Sequence, residues 1–387
     1  VSLAAPCRDP EQRTAVKTRS AVLHRQPGEY EVTEVDLDGP RRGELLVQMA
    51  AVGLCHTDDH VAVGDSPAFR LPIAGGHEGA GVVVGVGPDT PGWAEGDHVA
   101  LSFTAVCGEC RMCSTGRQNL CDLGGRLFTG ARLDDPTSFR MSYEGRPVVQ
   151  AHGISALSEH TVVDVRSAVK IDPDVPLQTA ALVSCGVATG WGSVTHMSDA
   201  RPGDVVIVMG VGGVGMNSVQ AARAIGARAV IAVDPVEFKR DAAVRFGATH
   251  TAEKMEEATA LARSMTNGQG ADATIVTVGV VAGEHIAEAV DSVRKAGTVV
   301  LTGTGGMRQS GLPINTTMFT VFQKRLQGAL FGGCNPRWDI PHLLAQYAAG
   351  TLMLDELVTR TYTLDEVALG YADMKAGSNI RGVVVFD

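Results

Sequence analysis

The sequence predicts an α/β protein of two domains, one β-rich and one a doubly wound parallel sheet. Three observations carry that reading. A chain of 387 residues is longer than one hydrophobic core usually serves. Short β-branched runs broken by glycine fill the first half. From Asp204 onward, apolar strands alternate with segments of helical period, the rhythm of a parallel sheet covered by helices on both faces. The 46 glycines and an aromatic share of 5% suit an α/β protein with many tight turns better than a β-sandwich.

In chain order, ELLVQMAAVG, GAGVVVGVG, DHVAL and HTVVDV read as strands of the β-rich domain. Gly124–His152 has weak periodicity and scattered Asp, Pro, Gly and Arg, and reads as an extended loop. VPLQTAALVSCGVATGWGSV mixes helical spacing with glycine and reads as a helix connecting the domains. VVIVM is then a buried strand, Gly213–Ile225 a helix and AVIAV the next strand. Helical DAAVRFGA, a helix at Met255–Met265, strand ATIVTV, helix EHIAEAVDSVRKA and strand TVVLTG complete the alternation. GVVVF at 382–386 is a strand expected to return to the N-terminal domain. No internal repeat or low-complexity tract is present.

A net charge of −10 argues against a nucleic-acid surface. No apolar run approaches the ~20 residues of a membrane helix. VSLAAPCRDPEQRTAVKTRS has no apolar core followed by a cleavage site, so no signal peptide and a cytoplasmic location are expected. In that reducing setting eight cysteines point to metal binding rather than disulfides, since half of them crowd into one short stretch.

That stretch is CGECRMCSTGRQNLC, with Cys107, Cys110, Cys113 and Cys121 in C-x2-C-x2-C-x7-C spacing. Two-residue gaps bend a loop so that successive thiolates face one centre, and Gly108 and Gly116 relieve its turns. Four thiolates around Zn²⁺ close the tetrahedron, so such a site is structural. Iron–sulfur clusters use similar spacings. Zinc is favoured because no later cysteine-rich segment follows and the other motifs point to hydride chemistry. Further candidate donors are scattered and weaker singly: Cys55 in GLCHTDDH, His77 and Glu78 in GGHEGAG, and Cys185 in SCGVATG. Free cysteines are commonly buried as small hydrophobes, so only the combination carries weight.

Gly210, Gly212 and Gly215 form G-x-G-x-x-G directly after VVIVM, with Gly213 and Val214 inside the turn, which opens a helix. Glycines there let the backbone approach a pyrophosphate held on the helix N-terminus. Asp234 ends the next strand, where a carboxylate accepts bonds from ribose hydroxyls and repels a 2′-phosphate, favouring NAD over NADP. Lys239 is placed to reach the same ribose, although a solvated helix residue is an equal reading.

With GLCHTDDH, GGHEGAGVV, the four-cysteine lobe, SCGVATGWG, GVGGVG with Asp234, and NIRGVVVF in view, the chain resembles the zinc-containing medium-chain alcohol dehydrogenases over nearly its full length. The resemblance implies a GroES-like catalytic domain (residues 1–187, with the zinc lobe at 105–123, and 330–387) interrupted by a Rossmann NAD-binding domain (188–329). It implies two zinc ions per chain. One is structural; the other, catalytic, is held by Cys55, His77 and Cys185 with Glu78 as an alternate or neighbouring ligand. Thr57 would take the substrate proton and His60 would pass it on through the cofactor ribose. Phe103 would line the substrate pocket, Thr189 touch the nicotinamide, and Arg381 meet the cofactor phosphates. His56 stands where many relatives carry Arg, and a histidine there is charged only part of the time near neutral pH.

The phrases AVDPVEFKRDAAVRFGATH and FGGCNPRWDIP resemble the nicotinoprotein branch assayed with N,N-dimethyl-4-nitrosoaniline (NDMA). That likeness implies tightly held NAD, recycled by an external acceptor such as mycofactocin, and a homo-oligomer, a dimer or higher. The expected activity is interconversion of a primary alcohol and its aldehyde. One rival is a thiol-adduct formaldehyde dehydrogenase, for which Arg126 and Arg132 would supply a carrier-thiol anion pocket. The other is a non-catalytic NAD-binding protein, which the intact Cys55, His77 and Cys185 set and His60 argue against.

Overall fold

A computed structural model describes residues 16–68, 70–307 and 310–386. Residues 1–15, on which the signal-peptide reading rests, lie outside them. The β-rich part contains two sheets. Strands Val16–Leu23, Tyr30–Leu37, Met141–Tyr143, Arg146–Gln150 and Ile73–Ala74 close a small barrel. Beside it, strand Glu44–Gly53 pairs with Gly79–Val86, His160–Asp164 and the returning Arg381–Val385. Register shifts at Leu46/Val47 and Met49/Ala51 mark irregularities in its pairing with Gly79–Val86; such bulges bend a strand. The expected return of the late strand is therefore seen, antiparallel, with Val383 opposite Gly53.

The second part is a six-stranded, all-parallel sheet in the order His250–Ala252, Ala229–Val233, Val205–Met209, Ala271–Val276, Val293–Leu301, Arg325–Gly328. VVIVM and AVIAV are buried along their whole length, as strands covered on both faces must be. Strand order reverses on either side of Val205–Met209, and ligands bind at that switch point in sheets of this kind.

Between the two parts runs one continuous helical stretch, Leu177–Leu182, a π-helical turn Val183–Val187, and Ala188–Thr195. This is the expected connecting helix, and the widened turn falls on Cys185. Such turns recur at functional sites.

The structure corrects three sequence readings. Gly124–His152 is not an extended loop: it holds a short helix, Gly124–Leu127, and a hairpin whose strands complete the barrel. The hairpin turns on Glu144 and Gly145, both at positive φ (49° and 72°), a pair less diagnostic than Asn-Gly. Its flanks also point polar side chains inward. Arg140 and Gln150 are fully buried and bonded to each other at 3.0 Å, so the apolar alternation that betrays a strand is missing. Likewise the helix in EHIAEAVDSVRKA stops at Ser292, and Val293–Leu301 is already strand. The DAAVRFGA helix begins earlier than expected, at Glu237, and ends at Arg245. No helix among the described residues is long and apolar enough to cross a membrane.

Candidate active site

The four-cysteine loop folds on itself. One sulfur from each of Cys107, Cys110, Cys113 and Cys121 lies within 4.8 Å of the others. Cys107–Cys113 and Cys110–Cys121 are 3.9 Å apart, against roughly 3.8 Å for the edge of a tetrahedron with ~2.3 Å Zn–S bonds. Backbone N–H groups of Glu109 and Cys110 donate to Cys107 Sγ, at 3.4 and 3.3 Å. N–H groups of Asp122 and Cys113 bring the Cys110 thiol down to about 6, whereas burial pushes Cys113 up to about 12. Four thiolates this close repel one another, so the donor set fits a divalent cation.

The scattered donors also converge. Cys55 caps the helix His56–Val63, His77 and Glu78 occupy the turn into strand Gly79–Val86, and Cys185 comes from the π-helical turn. Their ligand atoms lie within 4.8 Å of one another, with Cys185 Sγ 3.4 Å from His77 Nε2. His77 Nδ1 donates to Asp58 Oδ2 at 2.9 Å, leaving the Nε2 lone pair facing the thiols. Burial opposes a charge on His77, but Asp58 and Cys55 outweigh it and raise its pKa. The Cys185 thiol bonds the Cys55 sulfur, which lowers the pKa of Cys55 and raises that of Cys185. Glu78 is fully buried; Arg381 pairs with its Oε1, while Oε2 has no partner among the described residues. Two sulfurs and one imidazole fit a tetrahedral zinc with its fourth position open, and the unpartnered Glu78 oxygen is the alternative occupant of that position.

Around this cluster stand the other expected residues. Thr57 Oγ1 is 3.6 Å from Cys55 Sγ. Phe103 meets His77 edge-on, with ring centroids 5.5 Å apart, and packs against Phe331. His60 is buried: Nε2 donates to the Gly279 carbonyl at 3.0 Å and Nδ1 faces Asp65 Oδ2 at 3.2 Å. Both ring nitrogens are thus engaged. Thr189 is half-buried in the second position of helix Ala188–Thr195.

Two pocket residues escaped the sequence reading. Asp58 sits in the quoted GLCHTDDH, three residues after Cys55, where a carboxylate orienting a ligand histidine was a legible signal. His152 had none, because its segment read as loop. Its ring lies 5.1 Å from that of His77 and 5.8 Å from Phe103, and burial lowers its pKa to about 4. His152 presents a neutral imidazole among aromatic rings.

At the switch point the glycine turn is shaped for a ligand. Gly210 has φ +87°, and a Cβ at Gly215 would lie 1.9 Å from the Gly210 carbonyl, so the helix Gly213–Ala224 packs tightly on the strand. A Cβ at Gly212 would meet nothing within 4 Å, and no side chain caps the helix. The first-turn N–H groups and the space in front of them fit a pyrophosphate. Val214 packs its carbonyl against Gly190 of the connecting helix. Asp234 is held at the end of Ala229–Val233, its Oδ2 accepting from Val211 N at 3.0 Å and Oδ1 from Val236 N at 2.9 Å. Lys239 lies half-buried on the helix that follows.

Arg381 joins the two sites. Its guanidinium reaches Glu78, its Cδ lies where a Cβ of Gly213 would be, and its buried Nε has no partner among the described residues. Burial, the largest influence, lowers the pKa of His56, so the fixed positive charge beside the glycine turn is Arg381. Arg132 is a correction: it is buried against Glu44 and Asp38 and is not available to a carrier thiol. Arg126 is exposed and donates to the Leu133 carbonyl at 3.2 Å.

Residues 41–173 match the alcohol dehydrogenase GroES-like domain family, and residues 213–349 match the zinc-binding dehydrogenase family. The chain is 45% identical over 370 residues to the NDMA-dependent alcohol dehydrogenase of Amycolatopsis methanolica, covering 96% of this chain and 99% of that one. It belongs to the zinc-containing medium-chain alcohol dehydrogenases. Alcohol dehydrogenase B of Mycobacterium tuberculosis is 44% identical, over 95% of this chain and 98% of its own. Benzyl alcohol dehydrogenase of Acinetobacter calcoaceticus superposes with a TM-score of 0.88 at 27% identity, covering 96% of this chain and all of that one. This dehydrogenase is thus an oxidoreductase acting on alcohols, with a GroES-like part and a Rossmann part.

Proposed function

We propose that the chain interconverts a primary alcohol and its aldehyde, using one zinc held by Cys55, His77 and Cys185 and one NAD held at the glycine turn. The observation that supports this most is Arg381, whose side chain links the carboxylate beside the metal donors to the dinucleotide turn. In this reading residues 1–187 and 330–387 form the catalytic unit, and 188–329 the cofactor unit. When bound, zinc supplies a Lewis acid toward the alcohol oxygen and the nicotinamide accepts the hydride.

The chain's own residues do the rest. Asp58 keeps the His77 lone pair on the metal side. Phe103 and His152 exclude water and orient the carbon chain, and Thr189 would help hold the nicotinamide. Thr57 would accept the alcohol proton as its own hydroxyl proton leaves toward His60, which would hold that proton at Nε2 once the bond to the Gly279 carbonyl is released. Asp234 and Lys239 hold the adenosine ribose, and Gly210, Gly212, Gly213, Val214 and Gly215 the pyrophosphate, with Arg381 supplying charge. The second zinc sits in the lobe at Cys107, Cys110, Cys113 and Cys121.

The likeness to an NDMA-dependent relative supports recycling by an external acceptor, for which mycofactocin is a candidate; the same reading takes the NAD as firmly held and the protein as a cytoplasmic homo-oligomer. Burial of Arg132 counts against the thiol-adduct alternative. The test is to denature the purified protein and identify the released nucleotide, then assay a simple alcohol with NDMA and with free NAD. One NAD(H) per chain with turnover only on the dye is expected. Free exchange of NAD with ordinary kinetics would overturn the held-cofactor reading, and absence of alcohol turnover in every arm the reaction itself.

A further inference from the structure

The connecting helix that brings Cys185 in at one end carries a second group of metal donors at the other. His196 caps the C-terminus of Ala188–Thr195. Cys334 and Asp339 flank the start of helix Pro336–Ala348, in the segment returning from the six-stranded sheet. One ligand atom from each of the three lies within 4.8 Å of the others.

We propose that His196, Cys334 and Asp339 form a third site for zinc or a similar divalent transition metal, separate from the catalytic and structural sites. The donors are one thiolate, one imidazole and one carboxylate. That borderline-soft set suits zinc, cobalt or cadmium and not calcium or magnesium, which take oxygen ligands. Three protein ligands leave the fourth tetrahedral position to water.

The surroundings are organised as a site requires. His196 Nε2 and Asp339 Oδ1 are 3.2 Å apart, a separation that fits two neighbouring ligands on one small ion. Asp339 Oδ2 accepts from Asn335 N at 2.7 Å, which fixes the carboxylate with its other oxygen toward the histidine. Cys334 is 0% exposed, and its thiol donates to the Ala188 carbonyl, 3.3 Å away. It is seated there by the backbone. Phe331, Gly332 and Gly333 all have positive φ, and a Cβ on Gly192 would come within 2.5 Å of the sulfur. On the opposite side, His196 is half-exposed and lines a cleft of about 450 Å³ with Met197, Thr298, Lys324 and Gln327, which gives an ion a route from solvent.

An ion here replaces the thiol proton, which is released to solvent, with a metal–sulfur bond, and the thiolate and carboxylate balance its charge. It would pin the returning segment to the helix that carries Cys185 and Thr189. The site thus fits a clamp on the geometry between the two parts, responsive to free metal.

The test uses full-length protein equilibrated in buffers of fixed free zinc, with bound metal counted by mass spectrometry on wild type, His196→Ala and Asp339→Asn. His196 is partly exposed, so its replacement leaves a folded chain, checked by circular dichroism. Wild type is expected to take up one equivalent more than either variant at high free zinc. Cadmium should add thiolate-to-metal absorbance that both variants reduce and Cys334→Ser abolishes. Equal zinc uptake by wild type and His196→Ala would overturn the proposal, whatever the other variants show.

Discussion

The two thiol clusters that anchor this dehydrogenase are built in opposite ways. The lobe takes all four donors from one loop between Cys107 and Cys121, and the N–H groups that steady its sulfurs belong to the same loop. The other cluster draws Cys55, His77 and Cys185 from three separate elements. Its supports come from farther still, through Asp58 and Arg381. A local cluster forms or fails by itself, with little loop-closure cost. A distributed one exists only once the sheets and the connecting helix are in place, and for that reason it can leave a face open to Phe103 and His152.

The sharpest way to break this contrast is to remove a ligand from each cluster. Cys113→Ser should forfeit local metal-linked folding energy on the order of 10 kcal/mol. The expected result is loss of one zinc and rapid proteolysis within 105–123, with nucleotide binding retained; global unfolding instead would show that the lobe is not independent. Cys185→Ala should leave the fold intact by circular dichroism yet lower kcat/KM by on the order of 10³-fold, about 4 kcal/mol. Activity near wild type there would remove the zinc mechanism.

A third cluster, of charges, extends the comparison. Glu44 is buried between Arg132 and Arg140, the latter at 2.8 Å. Burial alone would raise its pKa, but Arg140 and Arg132 outweigh that and hold it below the ordinary value. Its stabilisation is therefore fully present above the unfolded-chain pKa of about 4.3 and is lost as pH falls through the lower folded value. Glu44→Gln should cost about 3 kcal/mol at pH 7, since it strands a buried arginine, and should flatten the acid limb of stability measured in urea. The smallest effect is expected at Asp58→Asn, roughly 10–100-fold in zinc affinity or activity with the lobe zinc unaffected. Loss of both metals together would mean that the two clusters are coupled.

What the sequence disclosed follows the same division. The lobe was legible because its spacing is its geometry. The parallel sheet was legible because strands such as VVIVM are apolar throughout and the glycine turn follows at once. The distributed ligands were individually ambiguous and were assembled only through resemblance to a family. The barrel hairpin was missed because Arg140 and Gln150 face inward, a burial made tolerable by Glu44 of the neighbouring sheet, which pairs with Arg140, and by Thr161 and Val162, which accept from Gln150. His152 fell with it, and Cys334, read only as part of a family phrase, gained a second meaning once folding brought His196 beside it.

Two hydrogen bonds span the mouth between the parts: His60 Nε2 to the Gly279 carbonyl at 3.0 Å, and Met307 N–H to the Asp65 carbonyl at 3.2 Å. Each is worth ~1 kcal/mol net, so together they favour the joined arrangement by roughly thirty-fold. That is a bias rather than a lock. The residence time of a nucleotide that outlasts purification would have to be written into its own contacts with the glycine turn, Asp234 and Arg381, and the mouth would govern only the traffic of alcohol and aldehyde.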